Sequence, residues 1–214
     1  LNSLFEDEHG LLWIASEKGL NCFDPKAGRF STFRYDPRNV SSLRNDDVRT
    51  IYEDRQGNFW VGNTLGILHR FDRKSGRSKS IELGKMAGYE SSITAMLDAS
   101  DGTFWIGTNI GLYVVDRDRW KSRQVSLGPV RVDSHAEIWS LYEDDANVLW
   151  IGTGGTQAKG LVSYDRMTGR ITVYEHDPAK EHSLGSNWVG YICGDKMGNL
   201  WVATIGGGLN RFDR

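Results

Sequence analysis

A tryptophan within a short apolar hairpin segment recurs five times along the chain, and this repeat limits the possible folds more than any other feature. The five residues are Trp13, Trp60, Trp105, Trp150 and Trp201. Successive tryptophans are therefore 47, 45, 45 and 51 residues apart. A period of about 40 to 50 residues is typical of a four-stranded propeller blade and is longer than that of leucine-rich or ankyrin repeats.

Each period contains the pattern of four short strands separated by turns. In the second repeat we expect an inner strand over Val48–Glu53, two more over Asn58–Asn63 and Ile67–Phe71, and an outer strand over Ser78–Leu83. Turns that contain glycine, such as Arg55-Gln56-Gly57, are those that join the strands of hairpins. The sequence thus predicts an all-β fold, a β-propeller built from four-stranded antiparallel blades.

We expect one propeller region over residues 1–214 with five repeats, the last of which lacks its outer strand. The approximate limits of the repeats are 1–43, 44–90, 91–133, 134–184 and 185–214. Two arrangements of blades are compatible with four complete repeats and a fifth that lacks its outer strand. The chain is either a piece of a larger ring, such as a seven-bladed one, or a five-bladed ring with one short blade.

The residues that repeat have a structural interpretation. A large flat indole can fill the wedge between neighbouring sheets, so we expect the five tryptophans to pack rather than to bind a ligand. Acidic residues precede each hairpin, and the pairs Glu53-Asp54 and Glu143-Asp144 could in principle act as acid and base. Because they recur in equivalent turns, we expect them to cap those turns. The third repeat departs from this pattern, with Leu97-Asp98-Ala99.

Composition excludes several classes of function. There are 26 basic and 28 acidic residues, a formal net charge of −2, which gives no long-range attraction to nucleic acid or to an anionic membrane. No apolar run approaches the roughly 20 residues that span a bilayer. No signal peptide is expected, and the chain is interpreted as a mature domain or an excised piece.

Residues that could support catalysis or bind a metal lack the necessary spacing. The histidines are His9, His69, His135, His176 and His182. Cys22 and Cys193 are expected to be buried free thiols, with a disulfide as the alternative. The strings Gly152–Gly155 and Gly206–Gly208 are expected to be flexible hairpin loops, because no helix follows them to complete a phosphate site. We therefore expect no catalytic residue, no metal and no cofactor.

Candidate binding residues lie in the segments that lead into the inner strands, which vary while the strands repeat. Trp139 and Trp188 stand outside the repeat and could stack on sugar rings, and polar neighbours could bind hydroxyl groups. The predicted ligand-binding residues are Asn45, Asp46, Arg49, His135, Glu137, Trp139, Asn187 and Trp188. Packing at the rim of the ring is the alternative for these residues. Arg44, Arg49 and Arg131 would instead suit an acidic ligand.

The repeats resemble the two-component regulator propeller repeat. The resemblance rests on Glu53-Asp54-x-x-Gly57-x-x-Trp60-Val-Gly62, on residues 198–213, and on the connecting segments 35–46 and 175–187. It implies a periplasmic sensor region of a membrane-spanning histidine kinase, hybrid kinase or diguanylate cyclase. It also implies an oligosaccharide ligand, and membrane contact only through segments outside this chain.

Three functions therefore remain in competition. The first is a ligand-sensing propeller that binds a small molecule or an oligosaccharide. The second is a protein-interaction scaffold, in which a homodimer is possible because the incomplete fifth blade has an unpaired edge. The third is an enzyme such as a propeller lyase or glycosidase, which would need acid and base residues outside the repeat.

Overall fold

The computed structural model describes residues 1–84, 91–128 and 137–212, and the regular structure in these ranges is entirely β. Nineteen strands form five sheets, numbered here in chain order. The first sheet contains β1 (Ser3–Glu6), β2 (Leu12–Ser16), β3 (Gly19–Asp24) and β4 (Arg29–Phe33). The second contains β5 (Val48–Glu53), β6 (Phe59–Asn63), β7 (Ile67–Asp72) and β8 (Arg77–Glu82). The third contains β9 (Ile93–Asp98), β10 (Phe104–Thr108), β11 (Gly111–Asp116) and β12 (Lys121–Val125). The fourth contains β13 (Glu137–Glu143), β14 (Val148–Gly154), β15 (Leu161–Asp165) and β16 (Ile171–Tyr174). The fifth contains β17 (Val189–Gly194), β18 (Leu200–Thr204) and β19 (Gly208–Phe212).

Strands follow one another in chain order within every sheet, and the registers are those of antiparallel hairpins. The predicted all-β class with four-stranded antiparallel units is therefore confirmed. In the second sheet every strand limit lies within one residue of its prediction. The limits of the repeats stay predictions, and those at residues 90, 133 and 134 lie outside the described ranges.

The strands belong to two compact units. The first comprises Leu1–Ile93 with Arg117–Ser122, and the second comprises Thr94–Asp116 with Arg123–Arg214. In the first unit, the Trp13 ring of β2 lies with its centroid 5.0 Å from that of Phe59 in β6 and 5.9 Å from that of Phe71 in β7. The indole of one sheet thus packs on the next sheet, as expected for a residue that fills a wedge between them.

The second unit repeats this packing twice. Trp105 of β10 makes an edge contact with Tyr164 of β15 at 6.1 Å, and Trp150 of β14 does so with Phe212 of β19 at 5.2 Å. Both tryptophans are buried, whereas Trp201 is only partly buried. The structural role predicted for the repeated tryptophans is confirmed for Trp105 and Trp150, as it is for Trp13.

An aspartate six residues before the tryptophan organises the first turn of four sheets. These aspartates are Asp7, Asp54, Asp144 and Asp195. One carboxylate oxygen accepts the backbone N–H groups of the residues two and four positions later. The other accepts the indole N–H at 2.7–2.9 Å. The predicted turn-capping role of these carboxylates is confirmed, and the bond to the indole is an addition that the sequence analysis missed.

In the third sheet the equivalent position is Ala99, not Asp98. Consequently the indole N–H of Trp105 is buried without a hydrogen-bond partner in the described part of the chain. Asp101 takes over one of the missing bonds, because its Oδ1 accepts the N–H of Thr103 at 2.9 Å. The irregularity of this repeat therefore leaves a donor unsatisfied in the core, which costs free energy.

Arginines that follow the third strand of a sheet bind the same turns. Arg117 reaches Asp54 at 2.9 Å, and Arg73 lies 3.8 Å from Asp7 while it also bonds to Glu53 at 2.6 Å. Ion pairs that are partly withdrawn from water are stronger than exposed ones. The acidic residues before the hairpins are thus engaged in structural bonds and not in an acid–base pair.

Candidate functional site

A β-bulge opens the first strand of the second, fourth and fifth sheets. In the second sheet Val48 faces Asn63 and Thr50 faces Gly62, so that Arg49 is the extra residue. The same shift leaves Trp139 as the extra residue of β13 and Gly190 as that of β17. A bulge turns a side chain out of the alternating pattern of the strand, and bulges are common beside binding sites. Two of the predicted ligand-binding residues, Arg49 and Trp139, therefore occupy equivalent irregular positions.

In the second unit the bulge creates an aromatic patch. The indole of Trp139 lies directly against Gly154 of β14, where a Cβ atom would overlap its ring. Its Nε1 donates to Glu137 at 2.9 Å. The Trp188 ring makes an edge contact with Trp139 at 6.2 Å and is 46% exposed. We call Glu137, Trp139 and Trp188 the tryptophan patch.

Gly152 and Gly154 make this arrangement possible. The sequence analysis expected a flexible loop over Gly152–Gly155, but Gly152 and Gly154 belong to strand β14. Cβ atoms at these positions would meet Ser140 and Trp139 respectively. The glycines therefore let side chains of β13 approach the backbone, which is why they stand inside a strand. In the second string, Gly206 and Gly207 lie in the hairpin turn before β19, whereas Gly208 is the first residue of that strand.

In the first unit the predicted residues form a polar cluster. Arg49 donates to Asp47 at 3.0 Å, and Asn45 accepts the N–H of Asp47 at 2.7 Å. The Nε of Arg49 and the Oδ1 of Asp47 are buried and lack hydrogen-bond partners among the described residues. Buried polar atoms without partners are costly and occur at sites that receive a ligand or water. Arg49 is thus the residue of this cluster with donors available for a ligand.

Two other predicted residues hold the connections between sheets. Asp46 Oδ1 accepts the N–H of Tyr35 at 2.7 Å, and Asn187 Oδ1 accepts the N–H of His176 at 2.6 Å. Their backbone carbonyls accept bonds from Gly19 and Gly160. These two side chains therefore have a structural role that the sequence analysis did not identify, and a role in ligand binding stays a prediction. His135 lies outside the described residues.

These residues offer the groups that bind a ligand by contact and hydrogen bonding. The tryptophan patch offers an apolar face with an adjacent carboxylate, and the cluster around Arg49 offers donors and acceptors. In the described ranges, no group of three or more His, Cys, Asp or Glu side chains is arranged to hold a metal ion. Within the same ranges, no helix has the length and hydropathy to cross a membrane.

Five sheets of antiparallel hairpins, each anchored by a tryptophan, define a protein of the β-propeller class. The family model described as "Two component regulator propeller" matches residues 42–64, 133–155 and 183–206. Three segments of the chain thus match the two-component regulator propeller repeat, which confirms the resemblance found in the sequence. Each matched segment contains a bulged first strand, that of the second, fourth or fifth sheet.

Relatives and solved structures agree with this assignment. The chain is 28% identical over 176 residues to histidine kinase P4 of Formosa agariphila, a match that covers 79% of this chain and 12% of that protein. The extracellular domain of a putative one component system from B. thetaiotaomicron superposes with a TM-score of 0.80 at 22% identity, over 95% of this chain and 26% of that one. Virginiamycin B lyase from Staphylococcus aureus superposes with a TM-score of 0.68 at 16% identity, over 98% of this chain and 68% of that one. The structural matches establish the fold, and the chain spans only a small part of the kinase and of the extracellular domain.

Proposed function

We propose that this chain is a ligand-binding part of the sensor region of a two-component regulator. The histidine kinase relative and the extracellular domains among the structural neighbours support this proposal. We also propose that the chain lies outside the cytoplasm, in the periplasm, and the extracellular domains among its structural neighbours support this location. The kinase or cyclase that would transmit the signal lies, in this proposal, in other parts of the protein.

The proposed ligand is an oligosaccharide, bound on the tryptophan patch. The observation that carries this proposal is Trp188, a large aromatic side chain that is 46% exposed beside a second indole and a carboxylate. An indole face covers the C–H face of a sugar ring, while Glu137 can accept from sugar hydroxyl groups. The alternation of an apolar surface with a few placed polar groups is typical of small-ligand sites.

We propose that the domain binds without catalysis. The carboxylates that resemble an acid–base pair, Glu53 with Asp54 and Glu143 with Asp144, are bonded to turns and arginines. The lyase among the structural neighbours shares only the fold with this chain, and fold alone does not carry an activity. Turnover of a polysaccharide, abolished by a single histidine or glutamate substitution, would contradict this part of the proposal.

The test is a thermal-shift screen of the chain against neutral and acidic oligosaccharides, followed by calorimetric titration of any that stabilise it. Trp188→Ala is expected to weaken binding about fivefold, because one aromatic contact contributes roughly 1 kcal/mol. Phe30→Ala removes an aromatic ring that is 65% exposed in β4 and serves as the matched control. Lack of binding by any oligosaccharide at millimolar concentration, or equal binding by the Trp188 variant, would refute the carbohydrate proposal.

A further inference from the structure

Trp120 stands at a turn position that glycine occupies in three other sheets. The turns between third and fourth strands contain Gly28, Gly76 and Gly169, whose φ angles are 62°, 69° and 74°. In the third sheet the equivalent residue is Trp120, with φ 54°. Positive φ is unfavourable for a bulky side chain, and such strain persists where the position of the side chain has a use.

Packing against Trp60 explains the position of only one face of the Trp120 indole. The Trp13 ring is stacked on Phe33 of β4, and the Trp150 ring lies against Tyr174 of β16. The register places Ile81 at the equivalent position of β8. Trp120 supplies the aromatic neighbour that Ile81 does not, with its ring 6.0 Å from that of Trp60. A phenylalanine or tyrosine at position 81, as in the equivalent positions of β4 and β16, would have served the same purpose without strain in the turn.

The other side of the indole faces cations. Lys79 Nζ lies 4.0 Å from the centroid of Trp120, and Lys79 is directly opposite Arg70 in the β7–β8 pair. Like charges at directly opposed positions repel one another. Neither Arg70 nor Lys79 forms an ion pair among the described residues, and both are exposed. The neighbouring Lys74 and Arg77 are exposed cations as well.

These side chains line a groove of about 600 Å³ within the first unit. Phe71 and Trp120 form its apolar surface, and Arg70, Arg77 and Lys79 form its charged surface. Asp72 is the carboxylate in the lining, and its Oδ1 is engaged by the N–H groups that follow it. The volume is within the usual range of small-ligand pockets, roughly 300 to 1,000 Å³.

We propose that this groove binds an acidic saccharide, with a carboxylate or sulfate group held between Arg70 and Lys79. The sugar ring then lies on the face of Trp120 that Lys79 leaves when it turns from the indole to the anion. The bound oxyanion would relieve the repulsion between the two cations, and guanidinium groups recognise planar oxyanions by paired hydrogen bonds. The groove adjoins the turns at Gly57 and Lys74, whereas Arg49 adjoins the opposite ends of the same strands. It is therefore a site apart from the bulge residues, and it does not depend on the function proposed for the tryptophan patch.

The test is calorimetric titration of the 214-residue chain with digalacturonate, a sulfated chondroitin disaccharide, cellobiose and inorganic sulfate, at low and high salt. We expect at least one acidic disaccharide to bind, more weakly at high salt, while cellobiose and inorganic sulfate do not. Arg70→Gln and Lys79→Gln should each weaken that binding about tenfold. Lys26→Gln removes an exposed cation from the turn after β3 and should leave the binding unchanged. Failure of both acidic disaccharides, binding of inorganic sulfate alone, or unchanged affinity in both charge variants would overturn the proposal.

Trp120→Gly separates binding from packing, because it restores the residue that the other turns use. We expect this variant to fold and to lose most of its affinity for the acidic disaccharide. The melting temperature of the same variant measures how much the packing of Trp120 on Trp60 stabilises the fold. Ile81→Ala, which shortens the side chain at the equivalent position of β8, is measured for comparison. Retention of affinity by Trp120→Gly would show that the indole serves packing only, and would contradict its assigned role in the site.

Discussion

The aspartate that accepts an indole N–H is the smallest repeated unit of this protein. Burial by itself would raise the pKa of Asp54, but hydrogen bonds from Asn58 and Trp60 and the contact with Arg117 hold that pKa below its ordinary value. The carboxylate is thus ionised at neutral pH and satisfies several donors at once. In the third sheet Ala99 leaves Trp105 without this partner.

Restoration of the aspartate provides a prediction at this scale. We expect Ala99→Asp to raise the free energy of unfolding by about 1 kcal/mol, since it gives the buried Trp105 N–H an acceptor at the cost of one more buried charge. Asp54→Ala removes the acceptor of the Trp60 indole N–H and should lower the free energy of unfolding by about 3 kcal/mol. Urea denaturation measures both. A loss of stability in Ala99→Asp would mean that the space beside Trp105 cannot admit a carboxylate.

His69 predicts a specific sensitivity to acid. Its side chain is fully buried, and burial, assisted by the nearby Arg44, lowers its pKa from 6.5 to about 4. The neutral ring fits its surroundings, because Nε2 accepts the N–H of Arg44 at 3.4 Å while Nδ1 lies 3.1 Å from Ser78 Oγ. Between the two pKa values the unfolded chain binds a proton that the folded chain does not. Stability due to His69 is therefore complete above pH 6.5 and falls as the pH decreases towards 4.

The expected loss between pH 7 and pH 4.5 is roughly 2 to 3 kcal/mol for the native chain. His69→Gln should be less stable at pH 7 but should lack this part of the pH dependence, as measured by urea denaturation at both pH values. His9→Gln is the control, because His9 is exposed. Equal pH dependence in the native chain and in His69→Gln would exclude His69 as the cause.

At the scale of elements, the bulges and the strand glycines determine which side chains leave the repeat. Trp139 reaches its position because β13 has an extra residue there and because Gly154 has no side chain. Arg49 uses the same bulge in the second sheet without a neighbouring glycine of this kind. The same bulge thus turns out an arginine in the second sheet and a tryptophan in the fourth.

Gly154→Ala tests this dependence. The added methyl group would overlap the Trp139 ring, so we expect a loss of about 1 to 3 kcal/mol in stability and a change in tryptophan fluorescence as the ring moves. Any oligosaccharide affinity of the tryptophan patch should fall with it. Gly190→Ala is the matched control, because a Cβ atom there meets only ordinary contacts. An unchanged emission spectrum in Gly154→Ala would show that Trp139 does not depend on this glycine.

At the scale of the whole molecule, the fifth sheet differs from the others because β19 has no further strand beside it in the described residues. Leu209 of β19 and Tyr191 of β17 are 66% and 64% exposed. Unpaired strands with exposed apolar residues promote association between chains. This sheet is therefore where we propose that two copies of the 214-residue chain associate.

Light scattering over a range of concentrations tests this expectation. We expect the apparent mass of the 214-residue chain to rise with concentration, and Leu209→Lys to suppress the rise, because a charge on an edge strand opposes pairing. Met197→Lys places the same charge in an exposed turn and serves as the control. A constant monomer mass in the native chain would contradict the prediction.

The sequence by itself determined the all-β class, the four-stranded unit and the strand limits of the second sheet, because hairpins form between residues close in the chain and the tryptophan period marks each copy. It also selected Arg49 and Trp139, which lie in the segments that lead into the inner strands and vary between repeats. Only the tertiary structure decided that Asp46 and Asn187 hold connections, that Gly152 and Gly154 lie in a strand, and that Trp120 completes a cationic groove. Those roles depend on register and on neighbours from other hairpins, which residue spacing along a single chain does not specify.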